Sequence, residues 1–204
     1  MKTPAPQTKS DKPGKKPLPK LDNKDLSKSG FWLSHLLTIL ATVIGVYLAA
    51  QAGLSQALIF DTLQTKQNNY YLRSSLYAEL ADNTALLNAY NHDVLKKGVS
   101  VDTIKLRNPR LSSYVWESMK FSPTTLETPT YFLTQTRRFY ADVNEIIHKV
   151  EQGQYGSQHA SSLLQQHLDT MNNEVLPKLQ ASATALTVEL QKYDVVVDLQ
   201  DEVK

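Results

Sequence analysis

Apolar residues fall along this chain in three patterns, and each predicts a different kind of helix. From Phe31 to Phe60 they are nearly continuous, FWLSHLLTILATVIGVYLAAQAGLSQALIF, with no Asp, Glu, Lys or Arg and with His35 as the only residue that titrates near neutral pH by its type. A bilayer core takes roughly 20 apolar residues, and the stretch from Trp32 to Leu54 supplies them, so residues 31–60 are expected to form a transmembrane helix. Further on, Leu72, Leu76, Leu80, Asn83, Leu87, Tyr90 and Val94 step by three or four, which is one apolar seam on a helix interrupted by an amide. The membrane helix is therefore expected to continue as a stalk over 61–98. Lys96 and Lys97 suit its C-terminus and Gly98 its C-cap. Asn83 in such a seam either specifies register and partner number or hydrogen-bonds within a bundle, and the second is the expectation.

The third pattern is the amphipathic stripe. After a linker around Val99–Pro109 and a short helix near Leu111–Phe121, the pairs Ser122-Pro123 and Thr128-Pro129 each look like an N-cap followed by proline at the first helical position. Phe132, Thr136, Phe139, Val143, Ile146 and Val150 then share one helical face that ends near Gly153. Ser157 is placed to cap a last long helix whose apolar face reads Leu164, Leu168, Met171, Val175, Leu179, Leu186, Leu190 and Tyr193. Pro177 lies within it and predicts a kink or break near Asn173–Leu176. The ending, VVVDLQDEVK, is β-branched and acidic, and reads as a short strand or a frayed tail. No alternating strand pairs or Asn-Gly hairpins appear. The expected fold is therefore all-α: an N-terminal transmembrane helix running into a long stalk, an extracytoplasmic bundle of three to four helices over 99–193, and a tail over 194–204.

Charge adds an orientation. Residues 1–30 hold eight lysines and three aspartates, +5, in a chain whose net charge is +2, so the remainder carries −3. Lysines crowd the near side of the apolar run, whereas the twenty residues after Phe60 hold only Lys66 and Arg73, which keeps the N-terminus cytoplasmic. Five prolines among those lysines predict a disordered tail acting as a topogenic signal; anionic lipid or an SH3-type partner are its sharper readings. A leader of this length, with an apolar run about twice that of a signal peptide, favours an uncleaved anchor, although Ala50 and Ala52 mimic a cleavage site. An excess of cation confined to the tail argues against nucleic acid as a partner. The chain has no cysteine and no glycosylation sequon, which suits a bacterial inner-membrane protein whose C-terminal part is periplasmic or extracellular.

Ala41, Gly45, Ala49, Gly53 and Ala57 recur every fourth residue and form a stripe where helix backbones can approach closely, a helix-association face suited to a homodimer. Trp32 fits an interfacial anchor.

Candidate chemistry is sparse. No GxSxG, phosphate-binding glycine loop or HExxH occurs, so no catalytic residue, cofactor or metal is expected. His159 and His167 lie about 12 Å apart along a helix at ~1.5 Å per residue, too far to share an ion. Glu79, Glu117 and Glu145 would need two Glu-x-x-His pairs to resemble a di-iron site; only Glu145-His148 has that spacing, so all three read as surface charges. Tyr114, Trp116, Phe121, Tyr131, Phe139 and Tyr140 cluster around Arg137 and Arg138. They describe either an aromatic pocket with an arginine for a ligand carboxylate, or a Trp116 core plug with the arginines outside, and the plug is favoured.

The segments NNYYLRSSLYAELADN, LSSYVWESMKFSPTTL and TRRFYADVNEI together resemble a group of uncharacterised bacterial single-pass membrane proteins, in which a Tyr-Leu, Glu-Leu, Asn stalk precedes a Trp-Glu segment and a Tyr-containing helix. The likeness spans roughly residues 40–150. It implies this architecture and no activity. The function expected is a membrane-anchored structural or interaction protein with membrane lipid and an unidentified protein as partners. The alternative is a small-ligand sensor acting through a partner.

Overall fold

The computed structural model describes residues 29–197, all of them in helices, turns or connecting segments, with no strand among them. The lysine-rich tail and the last residues of the acidic ending lie outside the described residues. The chain divides into two compact units, one reaching Ser55 and the other beginning at Gln56. One helix, α1 (Ser29–Tyr90), contributes to both.

In the first unit α1 is regular and bare. Large apolar side chains from Leu33 to Leu54 are between 49% and 65% exposed. Its hydroxyls fold back onto the backbone, Thr38 Oγ1 donating to the carbonyl of Ser34 at 2.9 Å and Thr42 Oγ1 to that of Thr38 at 2.8 Å. No proline interrupts it, and a Cβ built at Gly45 or Gly53 would meet nothing within 4 Å. It is a helix long and apolar enough to cross a membrane, with mean hydropathy 1.9.

The second unit is built on the remainder of α1. A wide helical turn over Asn91–Leu95, in which the Lys96 amide reaches back five residues to the Asn91 carbonyl at 2.9 Å, leads to Gly98 at φ +63°. There follow α2 (Val101–Leu106), α3 (Tyr114–Met119), a 3-10 turn (Pro123–Glu127), α4 (Thr130–Glu151), α5 (Ser157–Thr170), a second wide turn (Met171–Val175) and α6 (Leu176–Gln191). The core gathers the seam of α1 (Leu76, Leu80, Leu87, Tyr90), the stripe of α4 (Phe132, Phe139, Val143, Ile146, Val150) and the face of α5 and α6 (Leu164, Leu168, Val175, Leu179). Burial of such side chains contributes about 1.5–3 kcal/mol each and is what closes the bundle. A smaller cluster joins Tyr70, Ala183, Leu190 and Val197.

Several boundaries depart from the sequence expectation, each for a local reason. The stretch after Gly98 is not all linker: Ser100 Oγ accepts from the Thr103 amide at 3.4 Å and starts α2, which buries Ile104. Ser157 is the first residue of α5 rather than its cap, because Gly156, in an extended conformation, takes the cap position and its carbonyl accepts from Ala160. Pro129 likewise is the N-cap of α4, so the helix starts one residue later than the Thr128 cap predicted, with Phe132 bonding to the Pro129 carbonyl at 2.9 Å. Pro177 does not break the helix. The turn before it widens, the Leu176 amide reaching back five residues to Met171, and this local widening accommodates the proline within a continuous helix. Tyr193 is 55% exposed, since α6 stops at Gln191 and the chain turns through Asp194 at φ +58°.

Thr136 occupies the middle of the α4 stripe, fully buried, and its hydroxyl finds no partner. A buried orphan of this kind costs about 1–3 kcal/mol. Thr136→Val is expected to raise stability by about 1 kcal/mol, read as a shifted midpoint in chemical denaturation of the full-length protein in mild detergent; a loss would show that the hydroxyl is satisfied in solution.

Candidate functional site

Two groups of residues in the second unit do more than fill a core. The first is a buried polar clamp around Glu79. Both Glu79 and Asn83 lie one turn apart on α1 and are 7% and 2% exposed. The Glu79 carboxylate accepts from the amides of Val115 at 2.6 Å and Trp116 at 3.1 Å, which are free donors at the start of α3, and from the Tyr140 hydroxyl at 2.8 Å. It is thus an N-cap supplied from another helix. Asn83 mimics a backbone partner for Ser112: its amide nitrogen donates to the Ser112 carbonyl at 2.6 Å, and its oxygen accepts from the Ser112 amide at 2.9 Å. Its second amide proton reaches the Tyr140 oxygen at 2.9 Å. Trp116 stacks on Tyr140, ring centroids 6.4 Å apart. Burial, then the neighbouring Glu79 as bond acceptor and charge, pushes the Tyr140 phenol well above its ordinary value.

A second clamp sits lower on α1. Arg73 donates to Ser182 Oγ on α6 at 2.9 Å and to the Glu127 carbonyl at 3.0 Å, while Asn69 donates to the Glu127 carboxylate at 2.7 Å. Burial lowers the Arg73 pKa, opposed by the Glu127 charge.

Between α1 and α6, with the start of α3 at its edge, lies a groove of about 660 Å³. Ser74, Ala78 and Ala183 are among its lining residues, and Tyr71, Tyr77 and Tyr114 contribute aromatic surface. Tyr114 is 82% exposed. On the other side of α3, Trp116, Glu117, Tyr140 and Asn144 line a cleft of about 180 Å³.

The structure separates the predicted aromatic cluster. Trp116 and Tyr140 come together, with Trp116 half-buried as a plug, whereas Tyr114 faces the groove. Arg137 and Arg138 are exposed on α4 and line neither cavity. Of the three glutamates read as surface charges, Glu117 and Glu145 are exposed, Glu117 paired with Lys120 at 2.5 Å and Glu145 with Lys149. Glu79 is not a surface charge: it lies on the seam side of α1, one turn from Leu76 and next to Leu80, where the α3 amides and the Tyr140 hydroxyl satisfy it. Among the described residues no group of His, Asp and Glu is arranged to hold a metal ion. The stripe Ala41, Gly45, Ala49, Gly53 and Ala57 is exposed throughout.

Protein-family profiles, curated proteins and solved structures were each compared with the chain, and none matched. Its function is therefore argued from its own residues.

Proposed function

We propose that the chain is a single-pass protein of the bacterial cell membrane, its N-terminus cytoplasmic and its helical bundle on the periplasmic or outer side, acting as a structural or interaction protein without catalysis. One observation carries the reading: fifteen large apolar side chains between Trp32 and Phe60 are exposed around every side of α1. At about 1.5–3 kcal/mol each, leaving them in water would cost on the order of 20–45 kcal/mol, more than the 5–15 kcal/mol that holds a typical domain folded. A bilayer removes that cost. The non-catalytic reading draws support from the buried ionisable groups, since Glu79 and Arg73 are engaged in holding α3 and the 123–127 turn to α1.

In this reading the bare stripe of small residues is where a second copy packs, because close backbone approach replaces a hydrophobic drive that lipid does not supply. Single cysteines at Gly45, Ala49 and Leu48 in the cysteine-free chain test both parts. We expect each variant to stay with membranes after carbonate extraction, and cross-linked dimer to form at Gly45 and Ala49 far more than at Leu48. Release by carbonate would overturn the anchor, and equal cross-linking at all three positions would overturn the dimer face.

A further inference from the structure

We propose that the groove between α1 and α6 is a binding site for an uncharged amphipathic small molecule, one with an apolar or aromatic face joined to hydroxyl or amide groups. Its size, about 660 Å³, lies within the ~300–1,000 Å³ of small-molecule sites. The lining supplies two kinds of surface. Tyr71, Tyr77 and Tyr114 offer ring faces, and Tyr71 and Tyr114 leave 46% and 82% of their surface in water. Ser74, Gln180 and Thr184 offer neutral hydrogen-bonding groups beside them.

Charge decides the ligand class. The sole carboxylate in the lining, Glu79, has both oxygens occupied by the α3 amides and Tyr140. The buried cation on α1, Arg73, is not part of the lining and spends its terminal nitrogens on Ser182, Glu127 and Asn69. A charged ligand entering the groove would lose hydration and gain no counter-ion, a loss a neutral ligand avoids. The predicted arginine for a ligand carboxylate is not present here, since Arg137 and Arg138 lie elsewhere on α4. The wall is also held in place before any ligand arrives. Glu79 anchors the two residues that follow Tyr114, so little ordering remains to be done on binding. A buried carboxylate is a poor way to gain stability compared with an apolar residue of similar size, and here it fixes the backbone that carries Tyr114 at the groove's edge.

The test uses a matched pair of probes, phenyl β-D-glucopyranoside and its charged analogue phenyl β-D-glucuronide, at millimolar concentration with the full-length protein in nanodiscs and with empty nanodiscs as reference. Saturation-transfer NMR is expected to show contact from the phenyl and sugar protons of the glucoside, at an affinity about ten-fold or more above that of the glucuronide. Ala78→Trp, which puts a bulky ring into the lining at an exposed position, is expected to abolish that contact while the unfolding midpoint of the protein stays in place. Tyr114→Ser, a surface change, should weaken it about ten-fold. Equal signals from the two probes, a signal that survives Ala78→Trp, or no signal from the glucoside would each overturn the inference. So would loss of a protein–protein contact on Ala78→Trp with neither probe bound, which would assign the groove to a macromolecule.

Discussion

Glu79→Ala is expected to destabilise the protein by about 3 kcal/mol. The change leaves the amides of Val115 and Trp116 and the hydroxyl of Tyr140 facing a vacated, water-poor space, and each buried donor without an acceptor costs about 1–3 kcal/mol. Partial entry of water keeps the total below the sum of the parts. Glu79→Gln retains an acceptor oxygen and is expected to cost about half as much. Denaturant titration of the full-length protein in mild detergent reads the loss. Amide exchange at Val115 and Trp116 locates it, and should accelerate there before it does in α4. A cost below about 1 kcal/mol, with exchange at those amides unchanged, would mean that α3 is held by the stacking of Trp116 on Tyr140 and not by the carboxylate.

The second large effect is alkaline. Tyr90 is 5% exposed, its hydroxyl has no partner, and burial followed by the nearby Glu151 charge raises its pKa from 10.0 to about 12. The Tyr140 phenol is raised as well. A folded-state pKa above the unfolded one means that the unfolded chain gives up its proton first, so the stabilisation is complete below about pH 10 and drains away above it. Each phenol contributes a slope of about 1.4 kcal/mol per pH unit, which for Tyr90 amounts to roughly 3 kcal/mol between pH 10 and 12. Tyr90→Phe removes that share without removing a hydrogen bond. It should leave stability at pH 7 unchanged or up to ~1 kcal/mol higher, and should flatten the decline above pH 10 by about half. A wild-type curve with no decline between pH 10 and 12 would show both phenols to be reached by solvent.

How much of this could be read in the sequence depended on whether a residue's role came from its own helix or from another. The α4 stripe and the α1 seam are set by a three-to-four step, and those positions are buried as the period requires, save Leu72 at the seam's start, which is partly buried. The same period places Arg137 and Arg138 off the stripe, one and two positions after Thr136, so their exposure was legible too. Glu79 was not, because its partners are the backbone amides of a segment some 36 residues away that carries no periodic signal. A trace existed nonetheless. Glu79 and Asn83 are four apart and flank the seam positions Leu76, Leu80 and Leu87, and a polar pair on a buried face demands donors from whatever covers it. The groove was hidden for a related reason: Tyr71, Tyr77 and Gln180 look like ordinary exposed residues until α1 and α6 are set beside each other.

The wide turn at Met171–Val175 works as a phase corrector. At about 100° per residue, an unbroken α-helix would point Leu164, Leu168, Met171 and Val175 in one direction and Leu179, Ala183 and Leu190 in another about 70° away. All seven are buried, because the turn holds one residue more than an α-turn and takes up the difference. The extra residue is thus an insertion the fold has absorbed: without it α6 would wheel Leu179 out of the core and carry Ser182 away from Arg73. Length, more than identity, is what this five-residue segment has to preserve.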